Sequence, residues 1–167
     1  MKLFPKGFAH IALALGLLGL TACGFHLRGH ADLSFSTIYI QGANSQIGKT
    51  LQRSLKGNGV ETVLTPEAAE KHLELSGEQT VKNILSLSGG GKVREYELLY
   101  RVTIRIRDGI DSLWGAPQII ELRRDYSYDD TQILAKEGEE TRLFNDMRSD
   151  ASREIMRRLS ARTRPVN

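Results

Sequence analysis

The chain contains a single cysteine among 167 residues, Cys23. An internal disulfide is therefore excluded, and the thiol is left for modification, reactivity or pairing with another chain. Long apolar runs are lacking as well. The most apolar stretch, Ile11 to Leu20 (IALALGLLGL), has ten residues, whereas a helix that crosses a bilayer needs about 20. A strong charge of one sign is missing: 23 Lys and Arg stand against 20 Asp and Glu, for a net +3. A nucleic-acid binder would need a far more basic face, so no nucleic-acid partner is expected. Catalytic signatures are missing too. There is no Gly-x-Ser-x-Gly, no phosphate-binding glycine loop and no His-Glu-x-x-His. His10, His26 and His30 lie near the start of the chain, and His72, alone at a strand start, reads as a surface residue rather than a base. Asp125, Asp129 and Asp130 lack the calcium-loop spacing with its glycine and read as a strand end and turn. No enzymatic activity, cofactor or metal is expected from this inventory.

What is present begins at the N-terminus. Lys2 and Lys6 give a basic start, the apolar run follows, and Thr21 and Ala22 are small residues before a break. This is the layout of a secretory signal. Leu20-Thr21-Ala22-Cys23 resembles the lipobox of bacterial lipoproteins, which implies that residues 1–22 are removed and that Cys23 takes a diacylglycerol on sulfur and an acyl chain on its amine. One chain holds a protein only marginally at a membrane, at roughly 0.8 kcal/mol per buried CH₂, while two or three make a lasting anchor. The alternative is an inert, buried cysteine just past a signal peptide. Gly24, rather than aspartate, follows the cysteine, which by resemblance to lipoprotein sorting rules favours the outer membrane. Removal of 22 residues leaves 145, with both signal lysines lost and the net charge reduced to +1. That length suits one domain with its own core. Residues 23–34 read as a lipidated tether that reaches roughly 35 Å when extended, residues 35–164 as a single domain, and residues 165–167 as a tail.

Within the domain, Phe35 to Gln41 (FSTIYIQ) is β-branched and aromatic and predicts a strand. Asn44 and Ser45 are good N-caps for a helix with Ile47, Leu51 and Leu55 on one stripe, ending at Gly57-Asn58-Gly59. Val60 to Leu64 is a short extended piece, and Pro66 opens a polar turn. His72 to Gly77 alternates and begins a second strand that continues toward Leu87. Gly89-Gly90-Gly91 reads as a hairpin loop, with an anion cradle of backbone N–H groups as the alternative. Tyr96, Leu98, Tyr100, Val102, Ile104 and Ile106 are spaced by two, with Glu95, Glu97, Arg101, Thr103, Arg105 and Arg107 between them. This predicts a long half-buried strand, its arginines outward. After Pro117, Ile120, Leu122, Tyr126 and Tyr128 give a further strand. Phe144, Met147, Ala151, Ile155 and Leu159 form the stripe of a helix spanning roughly Glu139 to Arg162. The expected fold is α+β, a two-layer sandwich in the order β-α-β-β-β-α. Two helices cover one face of a four-stranded mixed sheet, built from a parallel strand-helix-strand unit and an antiparallel meander.

Two stretches carry a family resemblance. One is Cys23-Gly24-Phe25-His26-Leu27-Arg28-Gly29. The other is Arg123-Arg124-Asp125-Tyr126-Ser127-Tyr128-Asp129-Asp130, followed by Ile133-Leu134-Ala135-Lys136-Glu137. Together with Glu95-Tyr96 and the order of elements, they resemble the LptE family of LPS-assembly lipoproteins. The resemblance implies an outer-membrane lipoprotein that plugs the lumen of the LptD β-barrel, aids its folding and binds lipopolysaccharide. It also implies that Lys136, the lysine of the Leu-Ala-Lys motif, and a basic residue in the loop before the long strand contact the lipid. Alignment on Glu95-Tyr96 places a glycine at the loop position, so Lys92 or Arg94 must substitute there. Solvated surface charge is the other reading of all three. Two other functions remain open: a lipoprotein subunit of another envelope machine, for barrel assembly or lipid transport, and an anchored periplasmic hydrolase. Acylation is directly testable. Cys23→Ser should leave an unprocessed or soluble protein, and mass spectrometry of the mature wild type should find the cysteine lipidated; an unmodified thiol there would refute the anchor.

Overall fold

The computed structural model describes residues 33–161, and Cys23, the signal segment and the tail lie outside them. Strand β1 (Thr37–Gln41) leads into helix α1 (Gln46–Gly57), the short β2 (Glu61–Val63), a 3₁₀ turn at Pro66–Ala68, the long β3 (Lys71–Leu87) and β4 (Val93–Asp108), then β5 (Gln118–Ser127), a second 3₁₀ turn at Asp130–Gln132, and helix α2 (Ile133–Ala161). The sheet has five strands in the order β2-β1-β3-β4-β5. β1 is parallel to both β2 and β3, while β3, β4 and β5 form the antiparallel meander. The expectation of four strands is corrected by β2. Its three residues are too few to show alternation, and only pairing with β1, Thr37 opposite Glu61, makes them a strand. α2 also starts at Ile133, earlier than Glu139, because Asp129 caps the turn that precedes it: its Oδ1 accepts Thr131 N at 2.9 Å.

Local chemistry explains the first half. Ser45 caps α1 by accepting Gly48 N at 3.1 Å, satisfying an N–H that a helix start leaves orphaned. The turn before it needs Gly42. Its φ is +90°, and a Cβ there would lie 2.6 Å from Leu75 O in the neighbouring strand. α1 buries Ile47, Leu51 and Leu55, α2 buries Met147, Ala151, Ile155 and Leu159, and both stripes lie on the face that carries Ile38, Ile40, Leu73, Leu98, Tyr100, Val102, Ile104 and Ile106. Complete burial of such a side chain is worth about 1.5–3 kcal/mol, so this face drives folding. The helices touch each other at Ser54 and Ser152, whose hydroxyl oxygens lie 3.2 Å apart.

β3 contains an element that alternation alone did not predict. Ser76 pairs with Thr103, but the next pair is Gln79 with Arg101, so one extra residue enters β3 at Gly77, which has φ +61°. A β-bulge of this kind inverts the faces beyond it. Before it, odd-numbered Leu73 and Leu75 face the helices; after it, even-numbered Glu78 and Lys82 do. Glu78 is thereby delivered into the core. Its Oε1 accepts the Tyr100 hydroxyl at 3.0 Å and Arg148 Nε at 3.1 Å, and its Oε2 accepts Ile47 N at 3.2 Å. One carboxylate so joins α1, β3, β4 and α2. Burial, and next the charge of Glu78, push the Tyr100 phenol well above its ordinary range.

The outward face carries cross-strand ion pairs: Arg101 with Glu121, Arg123 with Glu97 at 2.6 Å, and Arg105 with Glu74. Arg101 is exposed as the alternation predicts. Arg105 and Arg107 point outward too, but beneath a cover. The Trp114 ring from the β4–β5 connection lies 5.3 Å from the Arg105 guanidinium and 4.7 Å from that of Arg107, and Arg107 Nη1 donates to Ile110 O at 2.8 Å. The same cover corrects the reading of His72 as a surface residue. It is fully buried opposite Arg107, with Nδ1 3.5 Å from Arg107 Nη2 and Tyr39 against its ring. Burial, and then the charge of Arg107, hold the imidazole below its usual pKa.

Two outcomes are expected. Glu78→Ala strands a buried phenol and a guanidinium and should lower unfolding free energy by about 2–4 kcal/mol. Tyr100→Phe should cost only about 1 kcal/mol. A double-mutant cycle by urea denaturation should give a coupling well above zero; additive values would show that the contact is not formed in solution. For His72 the sign follows from the depressed folded pKa. The unfolded chain binds a proton below about pH 6.5 that the folded chain refuses, so stability should fall as pH drops from 6.5 toward 5. Asp and Glu residues titrate lower, and His72→Leu should therefore flatten the urea midpoint over this window.

Candidate functional site

The β3–β4 hairpin ends in a turn closed by its own backbone. Ser88 N donates to Lys92 O at 2.7 Å, Gly91 N to Ser88 O at 2.9 Å, and Lys92 N to Ser88 Oγ at 3.1 Å. The amides of Gly91 and Lys92 are thus engaged within the turn, which supports the hairpin reading of the glycine run over an anion cradle. Lys92 leaves the tip toward the turn before α2 and bonds Asp130 Oδ2 at 2.8 Å, and Tyr128 N donates to Arg94 O at 2.7 Å. The Lys92 ammonium is raised by its bond to Asp130. The Asp129 carboxyl is lowered first by the two Thr131 bonds and further by the charges of Lys136 and Lys92. The structure therefore brings Lys92, Arg94 and Lys136 to one end of the molecule, around the Asp129–Asp130 turn. Lys136 departs from a fully exposed cation. It sits in the first turn of α2 with 16% of its side chain exposed and bonds Glu139 Oε2 at 2.8 Å.

Apolar residues collect at the same end, and sequence reasoning missed them as a group. Ile84, Leu85 and Leu87 at the end of β3 are exposed, as are Ile133 and Leu134 at the start of α2, with Leu134 at 84%. The first three lie where the hairpin extends past the buried part of the sheet, and the register of β3 shifts around Ser86. The available signal was Ile133-Leu134 directly after a polar turn, where no stripe of α2 accounts for them. Cations beside exposed aliphatic side chains suit an amphiphile with an anionic head and acyl chains. The existing ion pairs do not block such a head. The Lys92–Asp130 pair is well exposed, with 75% and 52% of the side chains accessible, and exposed pairs contribute only about 0.2–1 kcal/mol. Bonds from a cation to phosphate are worth about 1.5–3 kcal/mol.

An aromatic clasp holds this end rigid. Lys82 Nζ lies 4.1 Å from the Tyr96 ring centroid and 2.5 Å from Glu140 Oε2, and the Tyr126 hydroxyl donates to the same oxygen at 2.8 Å. Tyr96 stacks on Tyr126 and meets Tyr128 edge-on. Burial opposes the charge on Lys82, but its bonds to Glu140 and Tyr126 outweigh it and raise its pKa. Burial, and then Glu140, push the Tyr126 phenol up to about 12. Arg124 reaches Asp150 of α2 at 2.7 Å. The arginine-tyrosine stretch is thus the seam between β5, β4 and α2. Among the described residues no group of His, Cys, Asp and Glu is placed to hold a metal ion, and no helix is long and apolar enough to cross a membrane.

The chain and its fold have counterparts among known proteins. Residues 35–159 match the family model described as LptE, lipopolysaccharide-assembly. The LPS-assembly lipoprotein LptE of Photorhabdus laumondii is 26% identical over 155 residues, covering 89% of this chain and 83% of that protein. The solution structure of lipoprotein B from Nitrosomonas europaea superposes with a TM-score of 0.68 at 39% identity, covering 84% of this chain and 92% of the other. The crystal structure of rare lipoprotein B from Shewanella oneidensis does so with a TM-score of 0.67 at 26% identity, covering 75% and 95%. The extent of the family match and the shared two-layer fold agree, and the chain belongs to the LptE family of lipopolysaccharide-assembly lipoproteins.

Proposed function

We propose that the protein is a non-enzymatic outer-membrane lipoprotein, anchored through Cys23, that plugs the LptD β-barrel, aids its folding and engages lipopolysaccharide at the hairpin end. The observation that carries the lipid contact is the convergence of Lys92, Arg94 and Lys136 with exposed Ile84, Leu87, Ile133 and Leu134 at one pole. Phosphates of the lipid head pair with the cations, and its acyl chains cover the aliphatic side chains. The plug reading is supported by the outward sheet face, whose ladder of ion pairs suits the polar lumen of a barrel rather than lipid. The two poles supply a direction. The chain enters the domain beside the start of β3, where Ser36 Oγ donates to Glu70 at 2.6 Å and Lys71 lies over the Phe35 ring. The tip of the 17-residue β3 is roughly 50 Å away. The lipid-binding pole thus lies at the far end of the domain from the point where the chain enters it.

The test separates the two roles. Lys92→Asp with Arg94→Asp, and the triple variant adding Lys136→Asp, should weaken lipopolysaccharide binding by more than about tenfold through lost attraction and new repulsion. The double variant spares the largely covered lysine, so circular dichroism should find it fully folded. Co-purification of LptD from detergent should be retained, because that surface spreads over many residues. Wild-type lipid binding by the folded double and triple variants would rule out the site while leaving the plug reading intact; loss of LptD alone would do the reverse.

A further inference from the structure

The strand at the far edge of the sheet is unfinished. β5 pairs with β4 along all ten of its residues and with no other strand among those described, so its second row of N–H and C=O groups faces outward. α2 runs beside this edge, and the two enclose a groove with Ile119 and Leu122 on the strand side and Arg153, Arg157 and Arg158 on the helix side. Ile119 is 59% exposed, although it is the type of residue a free edge normally conceals. The strand's charged side chains are drawn back from the edge: Glu121 to Arg101, Arg123 to Glu97, and Arg124 to Asp150. The main chain is thereby left accessible. Along the groove three arginines face three carboxylates, but the arginines are the more exposed: Arg153 and Arg157 are 69% and 75% accessible, while their helix partners Asp150 and Glu154 are 26% and 25% accessible.

We infer that the free edge of β5 and the arginine wall of α2 form a docking site for an extended acidic segment of a partner protein, which joins the sheet as a sixth strand. The main-chain ladder supplies affinity without regard to sequence, and the arginines select acidic side chains on the strand that enters. An apolar strand gains nothing from the wall, and a basic one is repelled, so the site discriminates against unspecific edge pairing. This site lies on a different edge from the hairpin pole and does not depend on the lipid reading.

The probe is a fluorescein-labelled ten-residue peptide of alternating valine and glutamate, matched in length to β5, titrated into the mature lipoprotein in detergent micelles. Binding should be saturable, with amide shifts and slowed hydrogen exchange confined to β5 and to residues 150–158. A peptide with lysine in place of glutamate, and one with proline in place of valine that cannot form a ladder, should both bind at least about tenfold more weakly. The variant Arg153→Glu with Arg157→Glu alters only exposed side chains. It should fold normally, lose about tenfold in affinity for the glutamate peptide and gain affinity for the lysine peptide. Equal binding of the three peptides, shifts that fall elsewhere, or protection in the free protein of the outward β5 amides, those not bonded to β4, would each overturn the proposal. So would self-association through the same amides, since the occupant would then be a second copy of the chain.

Discussion

The domain is held in register by one carboxylate. Glu78 accepts from the Tyr100 hydroxyl, Arg148 and the Ile47 amide, and so fixes the start of α1 and the middle of α2 against the two longest strands. Such a group is costly to bury unless its partners are in place, and that requirement makes the arrangement all-or-none. The bulge at Gly77 is what brings it there, since without the extra residue the carboxylate would sit on the outward face. The same inversion turns Lys82 inward under its ring of tyrosines. A single irregularity in one strand therefore sets both the central polar bond network and the clasp near the hairpin tip.

From this constraint follows the shape of the working end. α1 and the C-terminal half of α2 cover the part of the hairpin before the bulge, where Leu73, Leu75, Ile104 and Ile106 are buried. Beyond it, α2 alone is present, and its N-terminal half is attached through Lys82, Glu140 and Tyr126 rather than through a wide apolar stripe. Aliphatic side chains past the clasp then have nothing to pack against and remain in solvent. The exposed residues of the tip are a consequence of the hairpin outrunning its helices.

The two faces of the sheet solve different problems. The inner face buries apolar side chains, and its charges, the buried Lys71, Glu78 and the partly covered Lys82, are each matched by partners. The outer face is a ladder of arginines and carboxylates that needs water or a polar wall, interrupted by Val81, Leu99 and Ile119 and by Trp114 where it lies on Arg105 and Arg107. Burial, and then the charge of Arg107, hold the His72 imidazole below its usual pKa on this face.

Much of this was legible in the sequence by itself. The alternation from Tyr96 to Ile106, the Ser45 cap with its four-residue stripe, and the stripe of the last helix are local signals with a single structural solution, and each predicted element is present. The three cations could be named only through the family resemblance, Lys136 from the Leu-Ala-Lys stretch and Lys92 and Arg94 from alignment on Glu95-Tyr96, and the fold gathers them at one pole. What only the tertiary structure decided depends on partners distant in the chain. β2 exists because β1 offers it hydrogen bonds. Glu78 faces inward because one glycine takes a positive φ and shifts the register. His72 is buried between Tyr39 of β1 and Arg107 of β4, which itself lies under Trp114, and Lys136 is largely covered in a helix that begins at Ile133, about three turns before its apolar stripe. Periodicity reports which face a residue occupies within its own element. It is silent on what the rest of the chain lays over that face, and that is settled by packing alone.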